Sequence, residues 1–309
     1  MRRVLILGSG ALALYYGGRL AWAGVEVVFW ARSDACAFRQ KGLRLTYPGD
    51  AFHLPTVNVV ERVEDAGAVD LVVIALKATA NADLPRLLPA ALGPGTAVLN
   101  LQNGLGVDEV VAEIAGAERT CGALCFVAVN RVAPGEAVCA HEGYIVLGEF
   151  SGAPTARTEA VAEVFRRGGT KVRIAPSLLS ARWHKLIWNV PFNGLSVVER
   201  GMMSDEILRD AGREARVRAL MRELQTAAAA EGVEIADAFI EDNVERTRSM
   251  AYKPSTMLDW LAGRPLELEP IWGEPLRRAS RMRVATPELA RLYVEIQARA
   301  AEGPPLSVS

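Results

Sequence analysis

The stretch Val4-Leu5-Ile6-Leu7-Gly8-Ser9-Gly10-Ala11-Leu12-Ala13 decides how the rest of the chain is read. Four consecutive apolar residues suit a short strand buried on both faces, as in a parallel sheet. The GxGxxA turn that follows stands where such a strand hands over to a helix, expected over residues 11–23. In that position each residue has a use with a dinucleotide. Gly8 permits the tight turn, Gly10 lets the backbone approach a pyrophosphate, and Ala13 is small enough for close helix packing. Ser9, Ala11 and Leu12 complete the turn, where free amides at the helix start face an anion.

Further along, strand signals at 25–30, 70–76 and 96–101 alternate with helical periods at 80–91 and from 107. Strand alternating with helix predicts an α/β, Rossmann-type parallel sheet covered on both faces. Residues 43–47 and 52–54 flank Pro48-Gly49-Asp50 and read as a hairpin insertion. Residues 120–130 and 137–147 flank Pro134-Gly135 as a second hairpin, and 171–175 form a last strand. Beyond Pro176 strand signals cease, which predicts two domains: a nucleotide-binding domain over 1–176 and an all-α domain over 177–309. In the second, Ser204 reads as the N-cap of a helix reaching Glu231 and stopped by Gly232, and Thr286-Pro287-Glu288 opens another. The tail from Gly303-Pro304-Pro305 is expected to fray.

A chain of 309 residues with a formal charge of −1 has room for two cores and no basic excess. That argues against a nucleic-acid groove or an anionic membrane surface as partner. Arg2 and Arg3 ahead of an apolar run have the look of a secretory signal, but Gly8 and Gly10 interrupt it and no stretch reads as membrane-spanning. A cytoplasmic protein is expected. Cys36, Cys121, Cys125 and Cys139 lack paired ligand spacing, and His53, His141 and His184 are scattered, so no metal site is expected and free thiols account for the cysteines.

The second strand runs into Trp30-Ala31-Arg32-Ser33, where an NAD site ordinarily carries an acid for the ribose 2′-hydroxyl. Arg32 can instead pair with a 2′-phosphate, so NADP(H) is the expected cofactor. Asp34 is close by, in place to cap the following helix.

In RWHKLIWNVPFN, residues 182–193, Lys185, Asn189 and Asn193 stand at i, i+4 and i+8, so a helix points one amine and two amides from nearly one face. Leu186, Ile187, Trp188, Val190 and Phe192 around them are apolar, and polar heads in such a place need partners or a ligand. A lysine there can protonate a reacting oxygen. Pro191 removes a backbone donor inside this helix and is expected to kink it.

Taken together, the GSGALA turn, Arg32, Lys77 after DLVVIAL, Gln102-Asn103-Gly104 in LNLQNGLG, the WHKLIWNVPFN helix and PSTMLDWLAGRPLELE at 254–269 resemble the ketopantoate reductase family over nearly the whole chain. The resemblance implies a Rossmann domain, a helical domain and a substrate cleft between them, with a small 2-keto acid, ketopantoate, reduced to pantoate by NADPH for pantothenate synthesis. It also implies roles. Lys185 corresponds to the catalytic lysine and Glu267 to its carboxylate companion; Asn189, Asn193 and Ser255 correspond to substrate-binding groups. Asn103 is implied near both nicotinamide and substrate, and Lys77 near the cofactor. Tyr252 departs from the family pattern, which has an asparagine near the substrate's far hydroxyl. Other readings stay open: a paralogue acting on another branched or aromatic 2-keto acid, a β-hydroxyacid dehydrogenase, or a catalytically silent NADP(H)-binding sensor. A helical second domain is also suited to forming a homodimer.

Overall fold

Ten strands lie among the residues described by the computed structural model, 1–304. They are β1 (Arg3–Leu7), β2 (Glu26–Trp30), β3 (Leu43–Tyr47), β4 (Asp50–Leu54), β5 (Asn58–Val60), β6 (Leu71–Ile74), β7 (Ala97–Asn100), β8 (Thr120–Ala133), β9 (Glu136–Glu149) and β10 (Val172–Ile174). All belong to one sheet of order β4-β3-β9-β8-β7-β6-β1-β2-β5, with β10 paired to β9. From β5 through β2, β1, β6 and β7 to β8 every pairing is parallel. Successive strands progress outward from β1 in both directions, so the order reverses beside β1, the place where such sheets bind ligands beyond their strand ends.

The continuous apolar runs explain the parallel core. Side chains alternate along a strand, and both alternations are buried: Val4 and Ile6 of β1 join one core while Leu5 and Leu7 join another. Phe29 with Val73 and Val28 with Val72 repeat the division on β2 and β6.

Both expected hairpins are present, and the structure adds what they do. In the long β8–β9 hairpin β8 continues the sheet parallel to β7 and β9 returns antiparallel to it, β3 joins β9 in parallel, and β4 pairs antiparallel with β3 at the edge. They enlarge one sheet instead of standing apart from it. Strand β5 and the Ala156–Arg167 helix, started by a reciprocal Thr155/Thr158 capping box, have no counterpart in the sequence reading.

The chain divides into two units: Met1–Asn103 with Val107–Leu178, and Gly104–Gly106 with the chain from Leu179 on. The second is helical. Its core gathers Trp183, Leu186, Ile187, Val190 and Phe192 from the Leu178–Val198 helix around Trp272, Leu289 and Leu292. That helix runs through Pro191 without interruption.

The long helix expected to begin at Ser204 is instead two. A short helix covers Ser204–Ile207, and a second, Ala211–Ala230, begins at Asp210, whose carboxylate accepts from the Arg213 amide at 2.8 Å. Ser204 does not cap the long helix because the chain turns at residues 208–210 before that helix begins, and the Ser204 hydroxyl serves another segment, donating to the Met250 carbonyl at 2.6 Å and accepting from the Tyr252 amide at 3.3 Å. The stop at Gly232 and the start at Pro287 are where the sequence puts them. The tail from Pro305 lies outside the described residues. No helix among the described residues is long and apolar enough to cross a membrane.

Candidate functional site

In the first unit, the C-terminal ends of four neighbouring parallel strands carry the residues singled out for the cofactor. Gly8 follows β1, Arg32 lies beyond β2, Lys77 beyond β6 and Asn103 beyond β7. Gly8 has φ +126°, a conformation that favours glycine, and a Cβ on it would stand 3.3 Å from the Ala75 backbone. Around Gly10 a Cβ would meet nothing within 4 Å, so the backbone at that turn is open to approach. Residues 11–22 are helical with a π-helical turn at Ala13–Gly17, and the first amides of such a helix have no acceptor within it. These features fit a bound dinucleotide. Ala13 is buried as expected, but the tightest contact of helix with sheet comes one turn later, where a Cβ on Gly17 would stand 2.6 Å from the Phe29 ring.

Arg32 is well exposed; its guanidinium lies over the Trp30 ring at 5.6 Å and pairs with Asp83 at 3.3 Å. A surface pair of this kind is weak enough to be exchanged for a phosphate. Asp34 does not cap the helix after it, Ala35–Lys41. Its carboxylate, nearly inaccessible, accepts from the Ser9 hydroxyl at 2.5 Å and from Arg131 at 3.0 Å. Lys77 is exposed at the start of the Ala78–Asp83 turn. The segment leading to Asn103 is held by amides: Asn100 donates to Asp108 at 2.9 Å and accepts from the Gln102 backbone at 3.2 Å, while Gln102 donates to Asn81 at 2.6 Å.

In the second unit, Lys185, Asn189 and Asn193 lie on one continuous helix, so their spacing does place them on one face, within roughly 80° of arc. Lys185 and Asn189 are half-buried and Asn193 is buried. The Asn193 amide donates to Thr256 Oγ1 at 3.2 Å, joining the lysine helix to the Ser255–Leu261 helix. Ser255 is the exposed first residue of that helix, and Glu267 is half-buried in the segment after it.

Tyr252 packs beside this face. Its ring meets Trp188 at 5.9 Å between centroids, and Trp188 stacks on Phe192 at 5.0 Å while donating to Thr247 at 2.9 Å. Burial pushes the Tyr252 phenol above its ordinary pKa, so it stays protonated and able to donate at neutral pH. Ser204 fixes its backbone from both sides, donating to the Tyr252 carbonyl at 3.1 Å and accepting from its amide at 3.3 Å.

Sequence reasoning read Ser204 as a helix cap with no link to Tyr252, and it did not single out Thr256 or Arg131. Thr256 stood next to a residue that was, and its helical start after Pro254 was the available signal. Arg131 and Asp34 are separated by 97 residues, and nothing local announces their meeting.

A glycine turn at the strand-order reversal, followed by a helical unit bearing a lysine face, defines the class: a two-unit, dinucleotide-dependent oxidoreductase. The family models for ketopantoate reductase PanE/ApbA and for its C-terminal part match residues 4–152 and 177–300, and the chain belongs to the ketopantoate reductase family. It is 38% identical over 302 residues to a 2-dehydropantoate 2-reductase of Nostoc sp., covering 96% of this chain and 94% of that protein. The crystal structure of 2-dehydropantoate 2-reductase from Geobacter metallireducens superposes with a TM-score of 0.92 at 38% identity, covering 96% and 99% of the two chains. D-mandelate dehydrogenase, solved with NADH and anilino(oxo)acetate, shares the fold with a TM-score of 0.88 at 19% identity, covering 97% and 98%.

Proposed function

We propose that this chain reduces 2-dehydropantoate to pantoate with NADPH, as a cytoplasmic enzyme of pantothenate biosynthesis. The observation that carries the reading is the Lys185–Asn189–Asn193 face on an unbroken helix, anchored through Thr256 to the helix that begins at Ser255. The first unit, the counterpart of the 1–176 domain, holds the cofactor; the helical unit supplies the proton and the substrate contacts.

When bound, NADPH supplies the hydride that converts the keto carbon to an alcohol. Gly8 to Ala13 would hold its pyrophosphate, Arg32 its 2′-phosphate, and Lys77 and Asn103 its remaining polar groups. As the carbonyl carbon is reduced, negative charge grows on its oxygen. The Lys185 ammonium stabilises that charge and donates the proton. Glu267 is assigned to orient and tune the amine. Asn189, Ser255 and Asn103 offer neutral donors for the substrate's oxygens. Asn193, buried and bonded to Thr256, suits a positioning role better than direct substrate contact.

The test is NADPH consumption by the purified full chain with a panel of 2-keto acids. Turnover of 2-dehydropantoate is expected. Cofactor binding with no turnover of any 2-keto acid would replace this reading with that of a silent sensor.

The Tyr252 ring against Trp188 favours a second reading, a preference for 2-keto acids with apolar side chains. Assembly as a homodimer is part of the proposal, checked by the mass in solution against 33.3 kDa for one chain.

A further inference from the structure

We infer that Arg131 is a specificity-determining residue for NADPH, acting through Asp34. The inference rests on the reading above that the first unit binds NADP(H).

Asp34 follows Arg32 by two residues and brings a carboxylate against the glycine turn, where Ser9 donates to one of its oxygens at 2.5 Å. In this fold an acid near the end of the second strand ordinarily serves the ribose hydroxyls of NAD. Left unpaired, such a carboxylate repels a 2′-phosphate and offers an acceptor to the 2′-hydroxyl that NADH carries in its place. It works against Arg32.

Arg131 removes that conflict. It comes from the far part of β8, at a place where the pairing with β9 shifts register between Arg131 and Ala133. From there its guanidinium donates to the second Asp34 oxygen at 3.0 Å. The carboxylate is 5% exposed and has an acceptor role on both oxygens, so its charge is offset and its lone pairs are engaged. Arg32, 61% exposed, is paired only across the surface with Asp83 among the described contacts and is the cation left to meet a phosphate. Removing Arg131 would leave a desolvated carboxylate uncompensated beside the cofactor's ribose end.

The experiment measures NADPH and NADH dissociation constants by fluorescence titration on the full chain and its variants. Arg131→Gln is expected to lower the NADPH preference about tenfold, the scale of one partly screened unit charge a few ångströms away. NADH binding by the same variant reports that the fold is intact. Arg131→Gln combined with Asp34→Asn should recover the preference, and Arg131→Lys should keep most of it. Asp34→Asn alone should raise the preference, which keeps the test open if Arg131→Gln does not fold.

An unchanged ratio in Arg131→Gln overturns the inference. So does a double variant that stays as poor as the single one, which would mean that Arg131 touches the phosphate directly. A preference that is unchanged or lowered in Asp34→Asn overturns it as well. A wild-type protein with no NADPH preference would overturn the cofactor reading itself, and that result appears before any substitution is made.

Discussion

Asn193 donates to Thr256 across 3.2 Å, and this bond ties the helix that carries Lys185 to the helix that starts at Ser255. Both residues are buried. Thr256→Val keeps the shape and removes the acceptor, leaving a buried amide short of a partner at a cost of about 1–3 kcal/mol. The expected result is a lower melting temperature together with a raised KM for the 2-keto acid, and Thr256→Ser should restore both. Wild-type kinetics in a destabilised Thr256→Val protein would reduce the bond to a packing detail.

Lys185→Ala should lower kcat by roughly 10²–10⁴-fold while NADPH still binds, since general acid catalysis is lost and the glycine turn belongs to other residues. Glu267→Gln should shift the pH–rate profile and slow turnover. Single-turnover measurements at saturating NADPH separate the chemical step from binding; near-normal rates in Lys185→Ala would eliminate its role.

Two glycines are predicted to fail in opposite ways. Gly104 has φ +92°, and a Cβ there would stand 2.2 Å from the Pro270 carbonyl oxygen, which accepts from the Leu105 amide at 2.8 Å. Backbone atoms cannot rotate aside, so Gly104→Ala should cost about 3 kcal/mol in a denaturant melt. Gly10 has no neighbour within 4 Å of a Cβ. Gly10→Ala should therefore melt close to wild type and bind NADPH at least tenfold more weakly, because the added methyl stands where the backbone must approach the pyrophosphate. Tight NADPH binding by Gly10→Ala would move the cofactor away from this turn.

What was legible in the sequence is what repeats locally. Val4 to Leu7 reads as a doubly buried strand because both alternations, Val4/Ile6 and Leu5/Leu7, enter a core. The lysine face follows from helical spacing that Pro191 does not interrupt. What was not legible depends on partners distant in the chain. Ser204, followed by Asp205 and Glu206, reads as an N-cap, yet its hydroxyl donates to the Met250 carbonyl and accepts from the Tyr252 amide. Asp34 is placed to cap a helix, yet Ser9 and Arg131 take its carboxylate. Short polar side chains such as these have several acceptable partners, and tertiary structure chooses among them.

Tyr252 is the residue through which substrate choice should be read. Its ring lies on Trp188, and Trp188 lies on Phe192, so the tyrosine extends an aromatic surface beside the lysine face. Its phenol is held protonated by burial and keeps a donor to offer. Ketopantoate carries a terminal hydroxyl that 2-ketoisovalerate lacks, and a site that hydrogen-bonds such a group discriminates strongly against the analogue without it. If the phenol serves that hydroxyl, kcat/KM should favour ketopantoate, and Tyr252→Phe should narrow the gap by about tenfold, the worth of one such bond. Tyr252→Phe keeps the ring and its contact with Trp188, so the change would isolate the hydroxyl from the packing. If the ring acts only as an apolar wall, Tyr252→Phe should leave the ratio alone. A wild-type kcat/KM that is higher for 2-ketoisovalerate than for ketopantoate would then replace the named substrate while leaving Lys185 and the reductase chemistry in place.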